Sequence, residues 1–182
     1  MDGTDVAQLD PAELRSSIGY VPQDTTLFSG TLRENISLGA PHVNDEEIMA
    51  ALALTGLDEA VRSHPMGLDR PVGPQGGAVS GGERQAICLA RALVGNKSLY
   101  LFDEPSSAMD TGAEFILTQG MEKVLETKTL MIVTQRLQML QLVNRIIVLE
   151  GGAMLADGPR DEVMKALQSG KMNRGGGKVY NS

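Results

Sequence analysis

Apolar positions along the chain change their period twice. Ile18, Tyr20 and Val21 form a short block that predicts a strand stopped by Pro22, and Asp10-Pro11-Ala12-Glu13-Leu14-Arg15 before it predicts one capped helical turn. Gln23 sits at the exit of that strand. From Thr31 to Val94 the spacing becomes helical: Asn44 with Glu47 three residues on predicts a capped start, leading into Ile48, Leu52 and alanine-rich turns up to Gly56. Beyond this stretch, the apolar runs Leu99–Phe102, Leu130–Thr134 and Ile146–Leu149 alternate with helical segments at Thr111–Leu125 and Arg136–Val143, which predicts an α/β fold with all three runs in a parallel sheet. Glu150-Gly151-Gly152 reads as a turn into Ala153–Asp157, giving a terminal hairpin, and Arg160–Leu167 as a last amphipathic helix. From about Ser169 the chain reads as a loose tail.

Composition adds exclusions. The 182 residues are 42% hydrophobic and 21% charged, the balance of a globular protein of about one domain. The longest apolar runs are strand-length, well short of the roughly 20 residues that cross a bilayer. A net charge of −7 with scattered Lys and Arg argues against nucleic acid as a partner. Cys88 is the single cysteine, so no internal disulfide can form, and its neighbours Ala86, Ile87 and Leu89 make it a small buried hydrophobe. The first five residues carry neither the basic start nor the apolar core of a signal peptide. His42 and His64 have no partner at metal-ligand spacing and read as surface loop residues.

Two stretches carry chemistry. Ser80-Gly81-Gly82-Glu83 opens a helix whose apolar stripe is Ala86, Ile87, Ala90, Leu93 and Val94. As a capping box it satisfies orphan backbone donors, and the paired glycines also expose N–H groups at the positive end of the helix, where a phosphate is favoured. About twenty residues later the run Leu99-Tyr100-Leu101-Phe102 ends in Asp103-Glu104, stiffened by Pro105. Adjacent carboxylates at a strand end suit a Mg2+ holder and a group that orients or deprotonates an attacking water. No G-x-x-x-x-G-K-[ST] phosphate loop occurs in the sequence. Arg174-Gly175-Gly176-Gly177-Lys178 imitates one but fails, because Val179 stands where the Mg2+-ligating hydroxyl belongs and Met172 where the leading glycine belongs.

These residues resemble the nucleotide-binding domains of ATP-binding cassette (ABC) transporters. Val79-Ser80-Gly81-Gly82-Glu83 is similar to the LSGGQ signature, Tyr20-Val21-Pro22-Gln23-Asp24 to the Q-loop, Leu99 to Glu104 to the Walker B strand, and Ser107-Ala108-Met109-Asp110 to the D-loop. Phe28-Ser29-Gly30-Thr31-Leu32-Arg33-Glu34-Asn35-Ile36 resembles the exporter-type flank of the Q-loop. Leu9–Arg15 and Arg62–Asp69 resemble most the bacterial type I secretion ATPases. The resemblance implies an incomplete P-loop NTPase (RecA-like) core, residues 1–29 and 95–168, with a helical signature subdomain inserted at 30–94 and a flexible tail at 169–182.

It further implies ATP and Mg2+ as cofactors. Glu104 becomes the catalytic carboxylate, Asp103 the Mg2+ holder, and Gln23 a metal-side sensor that couples nucleotide to the transmembrane helices. Ser80, Gly81, Gly82 and Glu83 would face nucleotide on a second nucleotide-binding domain in a head-to-tail dimer, whose interface Asp110 organises. The implied partners are that second domain and the transmembrane domain of an exporter, at the cytoplasmic face of the bacterial inner membrane.

The sequence departs from the family in two places. Met1-Asp2-Gly3 resembles the strand-turn that follows the phosphate loop, so Met1 reads as an internal methionine or a fragment boundary. Gln135, in Thr134-Gln135-Arg136, occupies the position of the switch histidine. A glutamine can donate a hydrogen bond to a γ-phosphate but cannot carry positive charge, so transition-state stabilisation should suffer. The rival reading is a catalytically silent module that docks on an intact cassette.

Overall fold

The structure, a computed structural model, describes residues 3–38 and 40–169. Met1-Asp2 and the segment at 170–182, with its glycine run, lie outside the described residues.

Helix α1, Pro11–Ser16, begins as the sequence predicts: the Asp10 carboxylate accepts the Ala12 and Glu13 N–H groups at 2.7 and 3.1 Å. It leads into β1, Ile18–Val21, which pairs in parallel with β2, Leu99–Asp103; β2 pairs in parallel with β3, Thr129–Val133. The strand order β1-β2-β3 places β2 centrally, with Tyr100 and Phe102 buried. Gly19 leaves room for the Tyr100 ring beneath β1.

The inserted stretch is mostly helical. It contains α2, Leu32–Ile36; α3, Asp45–Leu54; α4, Asp58–Ser63; and α5, Gly81–Leu93. Thr31 with Glu34, Asn44 with Glu47 and Ser80 with Glu83 each complete a reciprocal capping box, so three starts are fixed by local sequence alone. α5 is buried from Gln85 through Ala90 and again at Ala92 and Leu93, beyond the one-sided stripe expected of it. It packs on α2, α3 and β1, with Leu27, Leu32, Ile36, Ile48, Leu52 and Leu89 as the centre of the core. Cys88 lies there as expected, 3% exposed, and burial pushes its thiol pKa up.

After β2, α6, Thr111–Leu125, starts at the Asp110 cap and buries Leu117 and Met121. The segment expected as a helix over Arg136–Val143 forms 3-10 turns at Leu137–Leu142 that place Met139 against α6.

One expectation is corrected. The Ile146–Leu149 run does not join the parallel sheet: β4, Arg145–Glu150, pairs only with β5, Ala153–Pro159, in a separate two-stranded antiparallel sheet. Gly151 and Gly152 have φ of +56° and +80°, the paired positive values of a tight hairpin turn, so the local partner captures β4. An apolar run identifies a strand but not its neighbour. Between the edge of β3 and β4 lies an open groove of about 1200 Å³, and exposed Met131, Val133, Ile147 and Leu149 lie along it. α7, Arg160–Gln168, closes the described fold.

Candidate functional site

Parallel strands deliver their carboxyl ends to one side. Val21 pairs with Phe102 and Asp103 with Val133, so Gln23, Asp103-Glu104 and Thr134-Gln135 emerge together at the same end of the three-stranded sheet. In open α/β sheets this is the end at which ligands bind. Asp103 and Glu104 are half-buried there, whereas Gln23 and Gln135 are exposed. Glu104, Thr134 and Gln135 all line the groove beyond β3.

Glu104 has a left-handed backbone, φ +46°, which is uncommon for a residue with a side chain. Its N–H donates to the Val133 carbonyl at 2.8 Å, and its own carbonyl accepts the Ser107 N–H at 3.2 Å and the Gln85 Nε2–H at 2.9 Å. Such strain persists only where the surroundings hold it, and functional sites are where it collects.

The Ser80 cluster begins the 13-residue α5. The Ser80 Oγ accepts the Glu83 N–H at 3.1 Å, and the Glu83 carboxylate accepts the Ser80 N–H at 2.9 Å and an Arg70 Nη1–H at 3.1 Å. Burial alone would raise the Glu83 pKa, but the Ser80 and Arg70 donors outweigh it and hold the carboxyl below its usual range. Gly81 and Gly82 lie against the turn after β2: a Cβ on Gly82 would sit 3.2 Å from the Ala108 carbonyl oxygen. Asp110, exposed, caps α6 through the Ala113 N–H at 2.9 Å. The fold thus brings Gln23, Asp103, Glu104 and Gln135 to one sheet end and sets Ser80–Gly82 beside Ala108. Among the described residues no hydrogen bond joins the Ser80 cluster to the two carboxylates.

Sequence reading missed the residues that hold these pieces. Gln85, 1% exposed, lies inside the stripe of α5, and its signal is one amide among apolar neighbours. Glu114, 4% exposed, accepts the Ser106 hydroxyl at 2.8 Å and an Arg136 Nη1–H at 3.3 Å, while Arg136 Nη2 donates to the Ser107 and Met109 carbonyls.

No group of three or more His, Cys, Asp or Glu that could hold a metal occurs among the described residues. The Asp103 and Glu104 carboxylates at the end of β2 fit Mg2+ brought with phosphates, since this ion usually keeps several waters and takes only one or two carboxylates from protein. No helix of the described residues is long and apolar enough to cross a membrane.

Comparison with known proteins identifies the family and the fold. The model of the ABC transporter family matches residues 1–107, a stretch that contains Gln23, Ser80–Glu83, Asp103 and Glu104. The leukotoxin translocation ATP-binding protein LktB of Pasteurella haemolytica-like sp. (strain 5943B) is 38% identical over 165 residues, 91% of this chain and 23% of that protein. The ATP-dependent lipid A-core flippase of Neisseria gonorrhoeae is 35% identical over 164 residues, 90% of this chain and 26% of that protein. Among solved structures, a bacterial Atm1-family ABC exporter with ATP bound superposes with a TM-score of 0.82 at 33% identity, over 90% of this chain and 29% of that one. The chain spans about a quarter of the length of the curated relatives it matches. The chain belongs to the ABC transporter family, and the part of that family it represents is the nucleotide-binding domain of exporter type.

Proposed function

We propose that the chain is the ATP-binding cassette portion of an exporter, coupling ATP binding and hydrolysis to export across a membrane, with protein as the exported class. The observation that carries this is the convergence of Gln23, Asp103, Glu104 and Gln135 at the carboxyl ends of three parallel strands. The resemblance to a leukotoxin translocation protein supports the substrate class. The partners proposed are an exporter transmembrane domain and a second nucleotide-binding domain, and the place of work is the cytoplasmic face of the bacterial inner membrane.

Mg-ATP, when bound, supplies the phosphoanhydride bond to be cleaved. Asp103 would hold the Mg2+ side, and Glu104 would orient the attacking water and take its proton. Gln23 would report occupancy of the metal side from its exposed strand exit. Gln135 would offer an amide N–H to the terminal phosphate. Ser80, Gly81 and Gly82, at the positive end of α5, would face phosphate held by the second domain, and Asp110 would order the contact between them.

A phosphate loop is absent from the 182 residues, and the edges of β3 and β4 face an open groove. By itself the chain should therefore bind Mg-ATP poorly and hydrolyse none. Isothermal titration tests this, with the chain alone and with the chain joined to the phosphate-loop segment of a relative. Weak binding by the first and hydrolysis by the second, lost on Glu104→Gln, supports the reading; micromolar binding by the chain alone, or no hydrolysis by the joined protein, overturns it. Gln135 favours a second reading, a catalytically silent module that docks on an intact cassette; ATP-dependent association without turnover in the joined protein would select it.

A further inference from the structure

Gln85 makes three hydrogen bonds, all to the turn that follows β2. Its Nε2 donates to the Glu104 carbonyl at 2.9 Å and to the Ser107 hydroxyl at 3.0 Å, and its Oε1 accepts the Ala108 N–H at 2.7 Å. A backbone carbonyl can only accept and a backbone N–H can only donate, so the amide has one orientation here. Both amide protons are used. Neither a glutamate, which has no donor, nor an apolar side chain of the same size can reproduce the set. With the side chain 1% exposed, water does not replace a lost partner cheaply.

From the opposite side Arg136 reaches the same turn. Its Nη2 donates to the Ser107 and Met109 carbonyls at 3.1 and 3.3 Å, and its Nη1 meets Glu114, which in turn accepts from Ser106. The turn is therefore clamped between the helix that begins at Ser80 and the segment that carries Gln135. Inside the clamp lies Glu104 with its left-handed backbone, a conformation that persists where the surroundings hold it.

We propose that Gln85 is a positioning residue: together with Arg136, it locks the Glu104–Met109 turn against α5 and so fixes where the Glu104 carboxylate is presented. This rests on the reading of Glu104 and Ser80–Gly82 as nucleotide-facing groups.

The clamp is tested without nucleotide, by amide hydrogen exchange and NMR on the full 182-residue chain. The parent should show a slowly exchanging Ala108 N–H and a resolved, protected Gln85 side-chain NH2 pair. Gln85→Met should accelerate exchange at Ala108 on the order of tenfold or more, the loss of one buried hydrogen bond, while Ile48 and Leu52 of α3 keep their protection. Gln85→Glu keeps an acceptor and should leave Ala108 protected, a rescue that support of the core in general would not produce. If Gln85→Met does not fold, Ser107→Ala at the exposed end of the network should shift one of the two Gln85 amide protons and spare the other. Unchanged exchange at Ala108 in Gln85→Met, equal acceleration across α3, or an unshifted Gln85 pair in Ser107→Ala would each overturn the proposal. Failure of the chain joined to a phosphate-loop segment to hydrolyse ATP would overturn the nucleotide reading and leave this exchange pattern intact.

Discussion

Arg136 and Glu114 form an ion pair at 3.3 Å between the segment after β3 and α6, with the Glu114 side chain 5% exposed and that of Arg136 34% exposed. Arg136→Met leaves the carboxylate with only the Ser106 hydroxyl. The expected loss is about 2 kcal/mol, below the roughly 3–5 kcal/mol for breaking a fully buried pair because solvent reaches the arginine. Glu114→Gln in the Arg136→Met background should restore part of it. Urea unfolding of the two singles and the double gives the coupling directly.

Gly19 is the packing limit of the sheet. A Cβ there would lie 2.5 Å from both the Ala92 carbonyl oxygen and the Tyr100 Cδ1. Gly19→Ala should destabilise by about 1–3 kcal/mol through overpacking, seen as a lower Tm, and Tyr100→Leu should relieve only the ring half of the clash because the Ala92 carbonyl is backbone.

Arg91 ties α2 to the loop after β1, donating to the Asn35 carbonyl at 2.7 Å, the Asn35 Oδ1 at 2.9 Å and the Thr26 carbonyl at 3.1 Å, with the Phe28 ring 5.6 Å from its guanidinium carbon. Burial lowers its pKa. Arg91→Lys keeps the charge but not the fork, and should cost about 1–2 kcal/mol while raising proteolytic cleavage between Asp24 and Phe28.

Acid should weaken the start of α5. The folded pKa of Glu83 lies below its ordinary value, so its contribution is present above the ordinary carboxylate range and disappears as pH falls through the depressed folded value. Glu83→Gln should therefore narrow the stability difference between pH 7 and pH 3. Asp157, lowered by its hydrogen bonds to Arg145, works in the same direction on the β4–β5 hairpin.

In the chain joined to a phosphate-loop segment, Gln135→His should raise kcat by roughly 10²–10³ with little change in KM, the pattern of an interaction made mainly in the transition state. Glu104→Gln should abolish the gain. Equal kcat for parent and variant would show that glutamine serves at this position.

The elements were legible wherever a local rule decides them. Asp10, Asn44 and Ser80 each announce a helix through a cap, and Asp103-Glu104 announces a strand end because two charges cannot continue a buried run. The hairpin partner of β4 was legible at Gly151-Gly152, but its separation from the parallel sheet was not, since pairing is a property of the whole sheet. Gln85 and Glu114 were missed for a related reason: a buried polar residue reveals its role only through partners that are distant in sequence, here Ala108 and Arg136.

The open groove has a consequence for the molecule in solution. Its walls are two unlike strand edges, β3 and β4, both bearing exposed aliphatic side chains. An edge of one copy set against the different edge of another makes a contact that repeats without closing, so growth has no natural end. Light scattering by the purified chain should therefore climb steeply with concentration rather than level off at a dimer.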